Sequence, residues 1–505
     1  MLNVVSDSGK PVDWWFMYKI SKESRTPSGK PVIGVTGGEY AYFDSEMAQQ
    51  SAAKPVLSPN RVGTNQGALY STLAPLFTDA AQANKSLGWF SYNDEDRLDP
   101  RGKGTGPEDR GHCKGVLAFD LASNSAFWLI HSVPLLPMTA AYKYPDSGLK
   151  MAQTYLCIAL ADADTSKGIA QLMYDGHGPN VNVASDLLRK GPAQLNGFDP
   201  NALPLTDVGK LLGNDDPRVL LMQNLNGSIK PPLKPYSGRV AFSSRGGQKF
   251  LAIAKNKAWG NKQDDPGGVK DFYDDLVGVV LNEDIEVETW ENAGNKIPPE
   301  VENGETHKVE NMKSVNLAPL GIPYSWSENV DHAKLAISDR NNPPDSDRWV
   351  CVGDINFTDA QERRGGGTVA FQCVPLWNSL VQVLSAQQEA GGKPTSRPSK
   401  PASSAEKPTS NKNPASATKP ATAKKSGAAK KPVGKKAPVG TRKTAIAAKK
   451  STAVKRKSIP IAKSSKKASG AMRHKAVKPK VKTARTATTR GTQKNKAKGT
   501  KKRTT

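Results

Sequence analysis

Two short patterns, His112-Cys-Lys114 and His332-Ala-Lys334, each set one imidazole and one ammonium two residues apart. On a strand, side chains i and i+2 leave the same face, so each pattern would aim both groups into one space. An imidazole can act as nucleophile or general acid near neutral pH, and a lysine is a point charge suited to a phosphate oxygen. Two such pairs facing each other would surround one phosphodiester with two imidazoles and two cations, with no metal needed. Their settings match. An apolar strand, a turn and a second strand lead from His112 to His131-Ser-Val-Pro134, 19 residues on. LAIS, a polar turn from Asp339 to Asp347 and WVCV lead from His332 to Gly353-Asp-Ile-Asn356, 21 residues on. Taken singly, either pattern is better read as a hydrogen-bonded core histidine and a solvated lysine. The matched pair favours chemistry. His177 lies between glycines, His307 in a charged run and His474 in the basic terminal segment, and no chemistry is assigned to them. Cys113, beside His112, would point to the opposite strand face and reads as a structural thiol rather than a metal ligand.

The elements that must position these residues can be sketched. Val12 to Ile20 is dense in aromatics and reads as a buried strand, followed by loops to about residue 65. Lys114–Asp120 and Ala126–Val133 read as paired strands around a polar turn, with a further apolar strand near Thr154–Ala161. Helical patterns fall at Val183–Lys190, Val219–Leu225 and Val269–Leu281. Ile285–Trp290 alternates as a half-buried strand does, and Pro375–Ala390 reads as a closing helix. Helix followed by strand recurs, so an α/β layered body is expected.

Composition divides the chain. Of its 72 Lys and Arg, 35 lie in residues 391–505, against one acid (Glu406) and no Phe, Trp or Tyr. The body is therefore about −9 and the tail about +34. A segment so charged and so poor in apolar residues cannot offset its ordering entropy, and reads as a disordered polycation. Its physics is counterion release: many phosphate contacts, little sequence information, strong salt dependence. Alternatively its basic clusters form a nuclear address or bind anionic lipid. The four cysteines form no CxxC, and no Walker A, GxGxxG or HExxH pattern occurs. Apolar stretches such as Tyr155–Ala161 fall far short of the roughly 20 residues a membrane helix needs, so no membrane insertion is expected. The opening decapeptide shows no secretory signal, which leaves an intracellular setting, cytoplasmic, nucleoid-associated or nuclear, as the expectation.

Further stretches carry a resemblance. They are Asp7–Trp14 with Tyr18-Lys19, Tyr92-Asn-Asp94, Arg110–Leu117, Phe127–Pro134, Asp331–Lys334, Trp349–Asn356 and Arg364–Thr368. In this order, across nearly the whole body, they resemble the deoxyribonuclease II family within the phospholipase D superfamily. The resemblance implies an α/β, phospholipase D-like fold of two pseudo-equivalent sandwich halves sharing one cleft. The catalytic body would be residues 1–390, with halves at about 1–165 and 240–390 joined by a connecting region, and 391–505 an appended tail. It further implies cleavage within double-stranded DNA, without sequence preference, metal or cofactor, leaving 3′-phosphate and 5′-hydroxyl ends. His112, Lys114, His332 and Lys334 would be catalytic. Ser132 and Asn356, in the places of the superfamily's Gly-Ser-x-Asn element, would be supporting residues or structural turn residues. Asp339 and Asp120 are given no role. The Arg364-Gly-Gly-Gly367 run is either a backbone approach to phosphate or a tight turn. Animal members are secreted or lysosomal. Two rival readings remain: a DNA-compacting protein with an inactive body, and a phosphodiesterase acting on lipid.

Overall fold

Trp14–Lys19 presents Trp14, Phe16 and Tyr18 on one face and Trp15 and Met17 on the other, and all are buried. Such a strand must be covered on both sides, and it lies within an eight-stranded sheet. The structure is a computed structural model that describes residues 1–94, 111–134, 136, 142–177, 182–183, 207–225, 234–260, 270–290, 307–341, 343–362 and 364–386. The Val183–Lys190 helical pattern beyond its first residue and the basic segment 391–505 lie outside them.

Across the first sheet the strands run Asn182–Val183, Leu87–Asn93, Gly115–Asp120, Ser125–His131, Gln153–Leu160, Trp14–Lys19, Tyr40–Asp44 and Val56–Leu57. A second sheet of seven runs Ser237–Ser243, Lys249–Lys255, Gly366–Gln372, Trp349–Gly353, Lys334–Ser338, Ile285–Thr289 and Val309–Asn311. Neighbours are antiparallel except the last pair, which is parallel. The body is thus mixed α/β with largely antiparallel sheets. The strands flanking the two His-x-Lys segments sit at corresponding positions, each between a preceding strand and the strand that ends in the polar tetrapeptide.

Alternate side chains of both sheets meet in one core. Trp14 lies edge-on to Phe371 with ring centres 5.2 Å apart, and Trp128 lies 6.1 Å from Phe242. Leu117, Ile158, Leu335 and Val352 join them, with Ile169 and Leu376 from the helices Ala163–Leu172 and Val374–Val383. Asp162 caps the first of these helices by accepting from Thr165 N–H at 2.8 Å. The alternate residues Trp15, Met17, Leu129 and Tyr155 pack with Ala68 and Leu69 of the Gly67–Leu73 helix. Val287, Ala336, Cys351 and Ala370 pack with Phe272, Tyr273 and Val277. Both central strand sets are buried on two faces. Cys113 is a buried free thiol within the shared core. No helix of the described residues is long and apolar enough to cross a membrane.

Several expectations need correction. The stretch to residue 65 is not all loop: Tyr40–Asp44 is a fully buried strand, and Val56–Leu57 pairs with it. Burial on both faces removes the alternation that would have marked it. Ile285–Thr289 alternates in sequence but is buried throughout, and buried Glu286 is met there by Arg340, a partly exposed side chain from a neighbouring turn. The amphipathic stretch Val269–Leu281 is a π-helical turn at Tyr273–Gly278 that runs into a single α turn, Val279–Leu281. The closing helix stops at Val383, where Leu384 leaves it to pair with Val315 in a small three-stranded sheet.

Candidate active site

His112 and His332 each lie just ahead of a central strand, Gly115–Asp120 and Lys334–Ser338, so their approach segments, not the strands themselves, carry them. Each segment is held by the opposite sheet. His112 N–H donates to Gly365 O at 2.7 Å, and His332 N–H donates to Ala152 O at 2.9 Å. The rings are held across the same divide. His112 Nδ1 lies 2.5 Å from Asp354 O, and His332 Nδ1 lies 2.9 Å from Ser132 O. A carbonyl only accepts, so Nδ1 carries the proton where it bonds one and Nε2 then keeps its lone pair; His332 Nδ1 also lies 3.2 Å from Lys334 Nζ. Asp354 and Ser132 are the second residues of the two polar tetrapeptides, which explains why those tetrapeptides recur at matching distances from each histidine. The ring centres stand 6.2 Å apart at 54°. Only 6% of His112 and 9% of His332 is exposed, which restricts the reach of water to the pair. Trp290 lies against His332, with ring centres 5.1 Å apart.

The two lysines differ in company. Lys114 Nζ is 2.7 Å from Asp94 Oδ1, and Asp94 Oδ2 is 3.0 Å from an Arg364 nitrogen and 3.6 Å from His112 Nε2. Lys334 Nζ donates to His332 O at 2.8 Å and, among the described residues, forms no ion pair. Burial, reinforced by Lys114, Arg364 and Lys334, holds the His112 imidazolium well below its ordinary range. Burial and the charges of Lys334 and Lys114 do the same to His332. Lys334 is itself pulled well down, by burial and by the like charge of Lys114. Burial pushes the Asp94 carboxyl up, but Lys114 and Arg364 prevail and leave it below the usual carboxylate range. Asp354 goes the other way. Burial raises it to about 8 against the pull of Lys114, whose backbone N–H donates to its Oδ1 at 3.2 Å.

All four His and Lys residues singled out from the sequence converge here. Ser132 is buried with them, but its hydroxyl donates to Gln153 Oε1 at 2.5 Å and accepts from Thr154 N–H at 3.0 Å; its carbonyl is what meets His332. Asn356 is buried, and its Oδ1 has no partner among the described residues. His131 is a core residue, its Nδ1 accepting from Val133 N–H at 3.2 Å and its pKa pushed down to about 3 by burial and Lys114. The glycine run is close-packed. A Cβ on Gly367 would come 2.4 Å from Ile253 O, and one on Gly353 2.5 Å from Gly367 O. Sequence reasoning missed Asp94, Asp354 and Trp290. The Tyr92-Asn-Asp94 stretch held a signal for the first, and the tetrapeptide equivalence for the second.

Two imidazoles anchored through Nδ1 and set among cations inside a buried site form a constellation suited to the chemistry of anionic esters. Residues 4–390 match the family model for Deoxyribonuclease II. A Burkholderia pseudomallei protein named as a deoxyribonuclease-2 is 38% identical over 376 residues, covering 74% of this chain and 90% of its own. Deoxyribonuclease-2-alpha of Rattus norvegicus is 28% identical over 393 residues, 76% of this chain and 93% of its own. Plancitoxin-1 of Acanthaster planci is 30% identical over 373 residues, 74% and 87%. The chain belongs to the deoxyribonuclease II family and is a deoxyribonuclease II-type hydrolase.

Proposed function

We propose that the protein hydrolyses phosphodiesters within DNA through a phosphohistidine, leaving 3′-phosphate and 5′-hydroxyl ends. The observation that carries this reading is the pair of imidazoles 6.2 Å apart, each with Nδ1 on a carbonyl of the opposite sheet and Nε2 left for chemistry. His112, whose imidazolium is held well below its ordinary range by burial and the neighbouring cations, attacks phosphorus through Nε2. The P–O5′ bond breaks, and His332, as the imidazolium, gives its proton to the departing oxygen. Neutral His332 then takes a proton from water, the hydroxide displaces His112 from phosphorus, and the 3′-phosphate leaves. Lys114 and Lys334 balance charge on the non-bridging oxygens. These side chains supply nucleophile, acid and counter-charge, so the reading calls for no metal ion. Lys334 has no anionic partner among the described residues, and a phosphate oxygen would supply one.

Requiring one ring neutral and one protonated gives a bell-shaped pH profile, and the depression of both imidazoles places its optimum on the acid side. The matching strand positions in the two sheets support a phospholipase D-like arrangement of two related halves. The +34 tail on a −9 body supports a tether to the DNA backbone that raises local substrate concentration. Plasmid nicking at pH 5 with EDTA tests the chemistry. Wild type is expected to nick, and His112→Ala and His332→Ala to be inactive. Loss of activity on chelation, restored by Mg²⁺, would overturn the mechanism.

A further inference from the structure

Behind the paired histidines lies a second pair of lysines. Lys19 ends the Trp14–Lys19 strand and Lys255 ends the Lys249–Lys255 strand, at corresponding places in the two sheets. Both are completely buried. Each gives its ammonium to main-chain carbonyls, and Lys255 Nζ also lies 5.8 Å from the centre of the Trp259 ring. Lys19 Nζ donates to Ile20 O at 3.1 Å, Gly37 O at 2.9 Å and Leu149 O at 3.3 Å. Lys255 Nζ donates to Arg364 O at 2.7 Å and Gln361 O at 3.2 Å.

What these carbonyls belong to gives the lysines a purpose. Lys19 is in register with Gln153, and Lys255 with Gly366, the first residues of the two adjacent strands. The residue just before each, Ala152 and Gly365, offers the carbonyl that receives the N–H of His332 and of His112. Leu149 is three residues ahead of Ala152, and Arg364 is next to Gly365. Each buried ammonium thus clasps the loop on which one histidine hangs. The connection is crossed: Lys19, from the first sheet, serves His332, and Lys255, from the second, serves His112. Withdrawing an ammonium from water is costly, and an apolar side chain of similar volume would fill the space more cheaply. Keeping two such groups at matching places is explained by the carbonyls they gather.

We propose that Lys19 and Lys255 are positioning residues for the hydrolytic reaction, each fixing the loop that orients the histidine of the opposite pair. This rests on the reading of His112 and His332 as the reacting groups. A displacement of either ring by about 1 Å is enough to lose on the order of 10²-fold in rate.

The test uses the full chain labelled with ¹⁵N-histidine, whose six histidines keep the spectrum readable. Lys255→Met is expected to shift the ring signals and titration of His112 and leave those of His332 in place. Lys19→Met should do the reverse. In each variant kcat on a short oligonucleotide should fall about 10–100-fold with KM little changed. Lys19→Arg and Lys255→Arg, which retain charge and donors, should recover part of the loss. If the Met variants fail to fold, Lys19→Gln and Lys255→Gln should give the same crossed pattern in weaker form. Variants that fold with unchanged histidine signals and unchanged kcat overturn the proposal. So does a pattern in which both histidines move together in every variant, since that reports general loosening. The crossed pattern among the variants, together with a wild type that does not cleave DNA, would support the clasp and overturn the catalytic reading instead.

Discussion

Asp94→Asn isolates the one carboxylate that touches two cations and an imidazole of the site. In the wild type its oxygens stand 2.7 Å from Lys114 Nζ, 3.0 Å from Arg364 and 3.6 Å from His112 Nε2. At an effective dielectric of about 20, each of the two closer contacts is a gross attraction of roughly 5–6 kcal/mol, most of it offset by desolvation. Breaking a buried pair by removing one partner costs about 3–5 kcal/mol net, and partial exposure of the Arg364 side chain puts this case at about 3. The expected fall in Tm at neutral pH is roughly 3–6 °C. Its pH dependence has a definite sign. A carboxylate held below its ordinary range contributes stability that is present above the unfolded value, near 4, and lost as pH falls through the folded one. Wild type and variant should therefore converge in Tm towards pH 3. The same charge, 3.6 Å from Nε2, favours the His112 imidazolium, so its loss lowers that pKa further. With His112 acting as the neutral nucleophile, the acid limb of the nicking profile should move to lower pH while the alkaline limb stays. The assay is plasmid nicking between pH 3 and 8 with EDTA, alongside thermal melts. An unmoved profile would refute the coupling of Asp94 to His112, and movement of the alkaline limb would make His112 the acid.

Three further outcomes follow from the same geometry. Asp354 is raised to about 8, so its contribution to stability is complete below about 4 and lost as pH rises through 8. Asp354→Asn keeps an acceptor for Lys114 N–H and should gain on the order of 1–3 kcal/mol over wild type at pH 8–9 but nothing at pH 4; a gain independent of pH would contradict the assignment. Removing residues 391–505 should weaken DNA binding at low salt and flatten its salt dependence while sparing cleavage of short oligonucleotides, which filter binding and a gel assay would check. Phe371→Ala removes the ring that meets Trp14 and Phe250 in the shared core and should cost about 3–5 kcal/mol, read from denaturant midpoints.

Much of this was legible in the chain. The strand Gly115–Asp120 and its partner Ser125–His131 could be read because polar turn residues separate two apolar runs. The histidine and lysine of each pair could be read because their spacing and surroundings recur. Tyr40–Asp44 escaped notice since a strand buried on both faces has no alternation, and its aromatics stand between loops rich in Gly, Pro and Ser. Glu286 misled, since a charged residue at alternate spacing reads as solvent-facing unless its distant partner, Arg340, is known. The end of the final helix depended on Leu384 finding Val315, a pairing across some seventy residues that no local pattern contains.

By itself the sequence determined which groups are available for chemistry, that they come as two matched sets, and that basicity is confined to an appended segment. Those are properties of residue type and short spacing. Only the tertiary structure decided which nitrogen of each imidazole is free, because the deciding carbonyls, Asp354 O and Ser132 O, lie about 200 or more residues away from the rings they hold. It also decided that Lys114 is neutralised by Asp94 while Lys334 forms no ion pair among the described residues, and that burial depresses both histidines. Charge, desolvation and hydrogen-bond direction are set by neighbours in space, and here those neighbours come from the other sheet.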